Sequence, residues 1–471
     1  MDKILHILKH FIPTKLFNRL APAYHFLFAF LASVIYRGPS EKMIVIGVTG
    51  TTGKTTSTYL IAKMLSGCGY KVGYTSTAMF SDGVNEWLND KKMTMPGRLF
   101  TQGTLAQMVK NGCQYAIVET SSEGIRQFRH RFINYDILIF TGLYPEHIES
   151  HGGFENYREA KSELFRHLKN CRIKYADERK LVVRTERALK KLELARVKKT
   201  IVANLDDEHA EHFLDFWAEE KFAYTRENKI AGKGINLICY GNISVDAGGT
   251  KFRIGETEIS LRLTGDFNAT NAMNAVCLGL AQDLPLPKIK IGLEAIAGVP
   301  GRLEKIDCGQ NFTVIVDYAF EPKALETLYE TAGSIPHERI IHVLGSAGGG
   351  RDASRRPILG RIAGEQADYV IVTNEDPYDD NPEIIIDQVL LGAEKAGKII
   401  NHDLWRISDR REAIMKALSL ATAGDLVLIT GKGSEQAICL AGGNKLPWDD
   451  RQVAKEELTK LLAAISDDVD K

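Results

Sequence analysis

A glycine-rich stretch near residue 50 combines residue types that bind the phosphates of a nucleotide. The sequence TGTTGKTT, residues 49–56, follows an apolar run and precedes a helical pattern, which is the context of a phosphate-binding loop. Lys54 can reach the β- and γ-phosphates, and the Thr55 hydroxyl can coordinate Mg²⁺. The general pattern has its first glycine at position 48, where this chain has valine. We predict that the loop binds a nucleotide through Gly50, Thr51, Thr52, Gly53, Lys54, Thr55 and Thr56.

Three further side chains are candidates for metal binding or catalysis. Glu119 ends the apolar run YAIVE, where a carboxylate can hold Mg²⁺ beside a phosphate loop or cap a helix. His147 lies four residues before His151, but the glycine and proline residues around them argue against a helical zinc site. Lys161 on its own is interpreted as a surface lysine of an amphipathic helix.

Short apolar runs that alternate with helical patterns indicate the elements that position these residues. Such alternation predicts an α/β fold, a P-loop central domain with a mostly parallel sheet followed by a Rossmann-like C-terminal α/β domain. The predicted elements of the first part are strands at 44–48, 115–118, 137–140 and 181–183, a charged helix at 184–199, antiparallel strands within 238–263 and a helix at 268–281. The pattern restarts after the sequence GVPG, with predicted strands at 314–316, 340–344, 369–372 and 426–429.

The length and composition limit the class of protein. A chain of 471 residues predicts two or three domains, which we assign to residues 1–40, 41–298 and 299–471. Lys and Arg number 60, as do Asp and Glu, so no net charge favours nucleic acid as a partner. The seven cysteines include no Cys-x-x-Cys pair, which argues against a zinc site or a disulfide framework and favours the cytoplasm.

The first 37 residues are the one compositional anomaly. Residues 4–17 are basic and amphipathic, and residues 21–36 are almost wholly apolar. About sixteen residues are few for a membrane span, and no small-residue cleavage site follows them. Three interpretations stay open: a helix packed on the next domain, a helix lying in the membrane interface, and a true span. The second predicts a peripheral contact of residues 1–37 with the inner face of the membrane.

A series of motifs runs from about residue 43 to residue 460. They are, in order, TGTTGKTT, VETSSEG, EHIESHGGFENYREAKSELF, GDFNATNAMNA, GVPGRLE, VDYAFEP, GSAGGGRDASRRP, TNEDP, GKGSE and PWDDR. This series resembles the Mur ligase family of peptidoglycan-precursor synthetases, and within it the MurE-type branch of tripeptide synthetases. The resemblance implies an enzyme that uses ATP and Mg²⁺ to add an amino acid to a UDP-N-acetylmuramoyl-dipeptide through an acyl phosphate.

The resemblance also implies roles for individual residues. Lys54 and Thr55 would bind the ATP phosphates and Mg²⁺, with Glu119 and His147 as further metal ligands in the catalytic centre. Lys161 would carry a CO₂-derived carbamate near a second Mg²⁺. The other implied ATP contacts are Asn268, Asn271, Arg302 and Asp317. The muramoyl peptide would be held by Thr94, Ser121, Gln127 and Arg129, and the amino acid by Glu375, Asp376, Gly431 and Glu435.

Two departures from the family pattern affect the expected substrates. The family has an N-terminal domain that grips the UDP moiety, whereas only about forty residues precede the first predicted strand here. We therefore expect that the donor is bound in a different way, and a lipid-linked donor becomes conceivable. Members that add diaminopimelate carry Asp-Asn-Pro-Arg, whose arginine binds the distal carboxylate. This chain has Glu375-Asp376-Pro377-Tyr378, which favours an amino acid such as lysine over diaminopimelate.

Two alternative functions stay open beside a ligase of murein-precursor synthesis. One keeps the chemistry and changes the substrate, as in folylpoly-γ-glutamate and cyanophycin synthetases or in a ligase acting on a lipid-linked precursor. The motifs TNEDP and GKGSE favour murein over folate. The other is a non-catalytic, membrane-associated protein that keeps the P-loop fold as a scaffold. The complete set of candidate catalytic residues argues against it, because a scaffold needs none of them.

Overall fold

The structure, a computed structural model, describes residues 14–145, 152–183, 194–227, 229–246 and 248–469. Its strands up to residue 261 are β1 (Ile44–Thr49), β2 (Val72–Thr75), β3 (Met79–Ser81), β4 (Glu86–Leu88), β5 (Tyr115–Glu119), β6 (Ile137–Phe140), β7 (Lys174–Ala176), β8 (Ala195–Val197), β9 (Thr200–Asn204), β10 (Glu220–Thr225), β11 (Asn236–Cys239), β12 (Gly241–Asp246), β13 (Gly249–Ile254) and β14 (Thr257–Leu261). The later strands are β15 (Glu304–Ile306), β16 (Thr313–Val316), β17 (Ile340–Leu344), β18 (Tyr369–Val372), β19 (Leu404–Arg406), β20 (Leu426–Ile429), β21 (Ala437–Cys439) and β22 (Lys445–Pro447).

The helices connect these strands. They are α1 (Thr14–Ile35), α2 (Lys54–Gly67), α3 (Arg98–Lys110), α4 (Ser122–Arg126), α5 (Phe154–Lys169), α6 (Ala210–Leu214), α7 (Phe267–Ala281), α8 (Leu286–Glu294), α9 (Pro322–Ala332), α10 (Arg355–Gln366), α11 (Pro382–Lys395), α12 (Arg410–Leu420) and α13 (Asp450–Val469). Short 3₁₀ turns occur at Pro39–Lys42 and Ala441–Gly443.

The first part of the chain precedes the sequence GVPG (residues 298–301), and the second part follows it. The first part contains a nine-stranded sheet with the strand order β11-β10-β9-β6-β1-β5-β2-β3-β4. It is parallel from β11 to β2, and β3 and β4 add an antiparallel edge. Alternate residues of β1 face opposite cores, because strand side chains alternate between the two faces of a sheet. Ile46 packs with α2, α7 and α8, and Val45 packs with α3 and α5. This two-sided cover is typical of parallel sheets.

A six-stranded sheet forms the second part, in the order β15-β16-β20-β17-β18-β19. Its strands are parallel except for the antiparallel edge strand β15. The α/β prediction is therefore confirmed, as are the four strands predicted after the sequence GVPG. The antiparallel strands predicted within 238–263 form the separate sheet β12-β13-β14. The domain limits at residues 40, 298 and 299 stay predictions.

Two predictions between residues 181 and 199 are wrong. Residues 181–183 form no strand; Val182 makes one isolated bridge to Ala176, after a turn in which Asp177 Oδ1 accepts a hydrogen bond from the Leu181 N–H. The charged helix predicted at 184–199 is wrong over residues 195–197, which form strand β8, because this segment pairs with β7 and such tertiary pairing outweighs local composition. Residues 184–193 lie outside the described part.

Helix α1 packs one side on the first part and leaves the other side exposed. Ala29 and Ala32 are buried against it, and the Phe30 ring lies 5.5 Å from the Phe132 ring. The exposed apolar side chains include Leu27, Leu31, Val34 and Ile35, and Leu20, Phe26 and Phe30 are also exposed in part. No helix within the described residues is both long and apolar enough to cross a membrane.

Candidate active site

One cavity of about 870 Å³ lies between the two sheets, where the carboxyl ends of their strands meet. Parallel strands present their polar loops at this edge. The sequence-predicted residues that line the cavity are Thr51, Thr52, Gly53, Lys54, Thr55, Thr56, Thr94, Glu119, Asn268, Asn271, Arg302, Asp317, Glu375, Asp376, Gly431 and Glu435. The structure therefore brings most of the candidate site together.

The glycine-rich loop fits closely between β1 and α2. Gly50 and Gly53 have φ angles of +153° and +74°, and a Cβ at Gly50 would lie 2.1 Å from Thr141 Oγ1. Only glycine fits this path without displacing its neighbours. Lys54 begins helix α2, and its Nζ donates to the Thr51 carbonyl. The loop thus ends at a helix N-terminus, where backbone N–H groups favour a bound anion.

Thr55 and Glu119 meet at the start of α2. The Thr55 hydroxyl lies 3.1 Å from each carboxylate oxygen of Glu119. Thr77 donates to the same carboxylate through its N–H at 2.7 Å and its hydroxyl at 2.9 Å, and the Thr94 hydroxyl lies 2.9 Å from the Thr77 hydroxyl. A hydroxyl and a carboxylate are the hard oxygen ligands that Mg²⁺ prefers, so this pair fits the metal. Among the described residues, no three His, Cys, Asp or Glu side chains cluster as a metal site by themselves.

Lys161 lies beside the glycine-rich loop and is buried. Its Nζ donates to the Gly50 carbonyl at 2.7 Å and lies 4.6 Å from the centroid of the Tyr157 ring, and 1% of the residue is exposed. The interpretation as a surface lysine is wrong, because α5 turns this side toward the sheet. His147 lies outside the described residues.

Four of the predicted ATP contacts line the same cavity as the glycine-rich loop. Asn271 lies behind Gly53, where an added Cβ would lie 2.4 Å from its Oδ1, and its Nδ2 donates to Asn268. Arg302 comes from the second part; its Nη2 lies 3.5 Å from Thr55 Oγ1. Burial raises the pKa of Asp317, against the opposing effect of Arg302 and of the N–H donors that hold its carboxylate.

The residues predicted to hold the muramoyl peptide are divided between two places. Thr94 lines the cavity. Ser121, Gln127 and Arg129 do not line it. Ser121 caps α4 by accepting from the Gly124 N–H, and Arg129 donates to Gln127 Oε1 at 2.6 Å and to the Met95 carbonyl.

The carboxylates of the second part are arranged around two lysines. Asp376 and Glu435 are bridged by Lys432, at 2.9 and 2.6 Å, and both also contact Lys92 of the first part. Burial alone would raise the pKa of Asp376, but Lys432 and Lys92 outweigh it and lower the pKa. Glu375 differs: its buried Oε2 has no hydrogen-bond partner among the described residues, and burial, with Asp376 nearby, raises its pKa.

Sequence reasoning missed three residues of this site. Thr77 and Lys92 lie outside every quoted motif, and nothing in the sequence distinguishes Lys92 from its neighbour Lys91. Lys432 lies within the motif GKGSE, of which only Gly431 and Glu435 were selected. A buried carboxylate pair requires a counter-ion, which would have pointed to Lys432.

Comparison with known sequences gives consistent matches along the chain. The pattern of the Mur ligase middle domain matches residues 48–194, and that of the Mur ligase glutamate ligase domain matches residues 301–433. The UDP-N-acetylmuramyl-tripeptide synthetase of Roseiflexus sp. is 35% identical over 444 residues, covering 92% of this chain and 81% of the relative. The UDP-N-acetylmuramoyl-L-alanyl-D-glutamate–2,6-diaminopimelate ligase of Syntrophomonas wolfei is 35% identical over 436 residues, covering 91% and 81%.

Solved structures share the fold. A UDP-N-acetylmuramoyl-L-alanyl-D-glutamate–2,6-diaminopimelate ligase aligns with a TM-score of 0.57 at 25% identity, covering 89% of this chain and 79% of that one. Folylpolyglutamate synthase of Mycobacterium tuberculosis, complexed with ADP and AMPPCP, aligns with a TM-score of 0.61 at 16% identity, covering 87% and 92%. At that identity the second match supports the fold alone.

Proposed function

The chain belongs to the Mur ligase family, and we propose that it is an ATP-dependent ligase that adds an amino acid to a UDP-N-acetylmuramoyl-dipeptide in peptidoglycan-precursor synthesis. One observation carries this proposal: the glycine-rich loop, the Thr55–Glu119 pair and the carboxylates of the second sheet line one cavity. A nucleotide, an acyl donor and an amine acceptor can therefore meet in one place. We infer that the reaction takes place in the cytoplasm.

ATP binding follows from the loop and its neighbours. Backbone N–H groups of the loop and the N-terminus of α2 would hold the phosphates, with Lys54 on the β- and γ-phosphates. Asn268 and Asn271 would lie near the adenine. Arg302 and Asp317 would contribute from the second part, as their place in the same cavity supports. Binding across both parts would exclude water from the reacting groups.

The residues present fit Mg²⁺. Thr55 and Glu119 would hold one ion, and His147 with a carbamate on Lys161 would hold a second. Mg²⁺ supplies charge neutralisation at the phosphoryl oxygens. The burial of Lys161 beside Gly50 supports the carbamate, because a cationic ammonium is costly in a buried position next to a metal site.

The chemistry overcomes the poor reactivity of a carboxylate. The terminal carboxylate of the dipeptide attacks the γ-phosphorus of ATP, and the bond from that phosphorus to the β,γ-bridging oxygen breaks. ADP departs, and the dipeptide carries an acyl phosphate. The uncharged amine of the amino acid then attacks the acyl carbon, loses a proton, and phosphate leaves as the amide forms. Lys54 offsets the repulsion between the two anions and the charge on the transferred group.

The amino acid would be held at the carboxylates of the second part. Glu375, Asp376, Gly431 and Glu435 line the cavity and suit an acceptor with a second ammonium group, as in lysine or diaminopimelate. Lysine is favoured over diaminopimelate, because Tyr378 stands where an arginine would bind the distal carboxylate. The muramoyl peptide would contact Thr94 in the cavity, with Ser121, Gln127 and Arg129 beyond it.

The exposed side of α1 favours a peripheral membrane contact, and with it a lipid-linked donor as the alternative substrate. Leu27, Leu31, Val34 and Ile35 form an apolar surface on this helix. Residues 1–37 contain five lysine and arginine residues and one aspartate, which suits an anionic lipid surface. We infer that this surface, defined by Leu27, Leu31, Val34 and Ile35, lies against the inner face of the membrane.

Coupled ADP release tests the proposed function. The purified chain is given ATP, Mg²⁺ and UDP-N-acetylmuramoyl-L-Ala-D-Glu, with each amino acid in turn. Turnover with lysine or diaminopimelate supports the proposal, and the better of the two identifies the acceptor. If no amino acid gives turnover with this donor but one does with a lipid-linked muramoyl dipeptide, the alternative donor is correct. Absence of turnover with both donors would overturn the proposal.

A further inference from the structure

Lys92 belongs to the first part of the chain, but its side chain contacts carboxylates of the second part. It lies in the loop between β4 and α3 with a φ angle of +53°. Its Nζ lies 2.6 and 2.8 Å from the two oxygens of Asp376 and 3.0 Å from Glu435 Oε2, and it donates to the Ala437 carbonyl at 2.8 Å. Its side chain is 5% exposed. The ammonium is thus surrounded by acceptors of the other part.

Every carboxylate oxygen of Asp376 and Glu435 already has at least one partner. The Asp376 carboxylate receives Lys92, Lys432 and the Cys439 N–H, and the Glu435 carboxylate receives both lysines and the Tyr318 hydroxyl. Two ammonium groups therefore balance two carboxylates. Within the Asp376–Glu435 pair, a third cation would leave a local excess of positive charge.

We propose that Lys92 is a specificity-determining residue. Without a bound amino acid, its ammonium occupies the position that the side-chain ammonium of the acceptor takes. The acceptor binds by displacing Lys92 from that position. This inference rests on the proposed function, which brings an amino acid with a second ammonium to this cavity. Exchange of one ammonium for another keeps the charge of the cluster balanced, whereas a neutral side chain of the same length would leave a carboxylate unpaired. Lys92 therefore acts as an internal competitor that only a cationic acceptor displaces.

Glu375 gives the incoming group an acceptor that Lys92 does not use. Its Oε2 is buried, lines the same cavity, and has no hydrogen-bond partner within the described residues. It faces Gly431, where an added Cβ would lie 2.5 Å from this oxygen. A substrate ammonium between Glu375 and the Asp376–Glu435 pair gains this contact, which favours exchange over retention of Lys92.

Lys92 rather than Lys432 is the group that leaves. The Lys432 side chain is wholly buried and pairs with Glu435 three residues away on the same loop. Lys92 reaches the cluster from a loop of the other part, and its long side chain can swing into the cavity or to solvent. Thr94 lies two residues further along that loop and is joined through Thr77 to Glu119. Release of Lys92 would therefore affect the position of Thr94 and, through Thr77, of Glu119 at the phosphate end of the cavity.

Chemical labelling of the unmodified full-length chain tests the exchange. The protein, with ADP, Mg²⁺ and UDP-N-acetylmuramoyl-L-Ala-D-Glu, is acetylated in the presence of L-lysine, L-norleucine or neither, and the labelling of Lys92 is measured relative to Lys91 by mass spectrometry. Lys91 is a matched reference, because it is adjacent and its side chain is 40% exposed. We expect L-lysine to raise the ratio at least several-fold and L-norleucine, which has the same four side-chain carbons without the ammonium, to leave it unchanged.

A variant gives a second measurement. In Lys92→Met the competitor is removed, so the KM for lysine should fall about tenfold, while Lys91→Met should leave it unchanged. Lys92→Arg retains a cationic competitor, so the KM for lysine should not fall as it does in Lys92→Met.

The outcomes separate this inference from the proposed function. Turnover with lysine, without a change in Lys92 labelling and with a KM that Lys92→Met does not lower, overturns the exchange and makes Lys92 a fixed counter-ion. If Lys92→Met is poorly folded, the labelling of the unmodified chain decides alone. Turnover with no amino acid overturns the proposed function and this inference together.

Discussion

The hydroxyl of Thr55 lies 3.1 Å from both carboxylate oxygens of Glu119, at the first turn of α2. Both residues are buried; Glu119 ends strand β5, and Thr55 lies in the helix that follows the adjacent parallel strand β1. The order of the strands thus brings a hydroxyl at a helix N-terminus and a strand-end carboxylate together, although 64 positions separate them in the sequence. This pair is the part of the cavity best suited to a metal.

Removing the charge of Glu119 should impair catalysis. Glu119→Gln keeps the size and an acceptor for Thr55 but loses the negative charge, so we expect ADP release to fall by roughly 10–100-fold and to need more Mg²⁺. Glu123→Gln is the control, since its side chain lies nearby and is more than half exposed. An unchanged Mg²⁺ dependence in Glu119→Gln would exclude this carboxylate as a ligand.

Lys161→Ala should nearly abolish ligation, by roughly 100-fold, because the proposed carbamate would be lost. Short carboxylates such as acetate should restore part of the activity by supplying an anionic group in the vacated space. Lys169→Ala, on an exposed position of the same helix, should keep full activity. The measurement is coupled ADP release with and without added carboxylate. Full activity of Lys161→Ala would contradict the carbamate.

His342 should make the second part less stable in acid. Burial, with Arg410 nearby, lowers its pKa to about 3, and its ring nitrogens are joined to the Tyr329 and Thr430 hydroxyls. The unfolded chain binds a proton below pH 6.5 and the folded chain does not, so stability falls as the pH falls from about 6.5 toward 3. Between pH 7 and pH 5 this residue should cost about 2 kcal/mol.

Urea unfolding at the two pH values measures this loss. His342→Gln keeps a polar partner for both hydroxyls and does not titrate, so its stability should fall by about 2 kcal/mol less than that of the unmodified chain. Equal losses in the two proteins would mean that His342 is protonated in the folded state.

Adjacent arginines on α12 should differ sharply in their effect on stability. Arg410 and Asp450 form a fully buried pair with contacts at 2.7 and 2.8 Å, and Arg410 also donates to the Asn374 carbonyl beside Glu375. Arg410→Met leaves a buried carboxylate unpaired and should lower the free energy of unfolding by about 3–5 kcal/mol. The Arg411 side chain is 40% exposed, so Arg411→Met should cost about 1 kcal/mol or less in urea unfolding. Similar losses would show that Asp450 finds another partner.

The fold could be predicted from the sequence where apolar runs are long and bounded. Strand β1 and the four strands predicted after the sequence GVPG are each buried along most of their length, so their composition reflects their burial directly. The three-residue run at 181–183 could not be interpreted in this way, because its only pairing is one bridge to Ala176.

The site was harder to predict where charge and burial conflict. Lys161 has the sequence context of a surface lysine, and only the tertiary fold buries it against Gly50. Lys91 and Lys92 are identical in type and adjacent, yet the Lys91 side chain is 40% exposed, whereas the Lys92 side chain is 5% exposed and contacts Asp376, 284 positions away in the sequence. Such long-range pairing leaves no local pattern in the sequence. A sequence can therefore predict the loop that binds phosphate, but not a counter-ion that belongs to the other part of the chain.

The apolar surface of α1 should bind vesicles that contain anionic lipid. Leu27 and Leu31 are about half exposed and lie one helical turn apart, so both can enter the lipid interface together. Changing both to serine should weaken vesicle binding by roughly tenfold or more, since each buried leucine contributes about 1.5–3 kcal/mol when fully covered. Ile291→Ser, at an exposed position on α8, is the control and should bind as the unmodified chain does. Sedimentation with phosphatidylglycerol vesicles measures this, and equal binding of the double variant would assign α1 to packing on the first part alone.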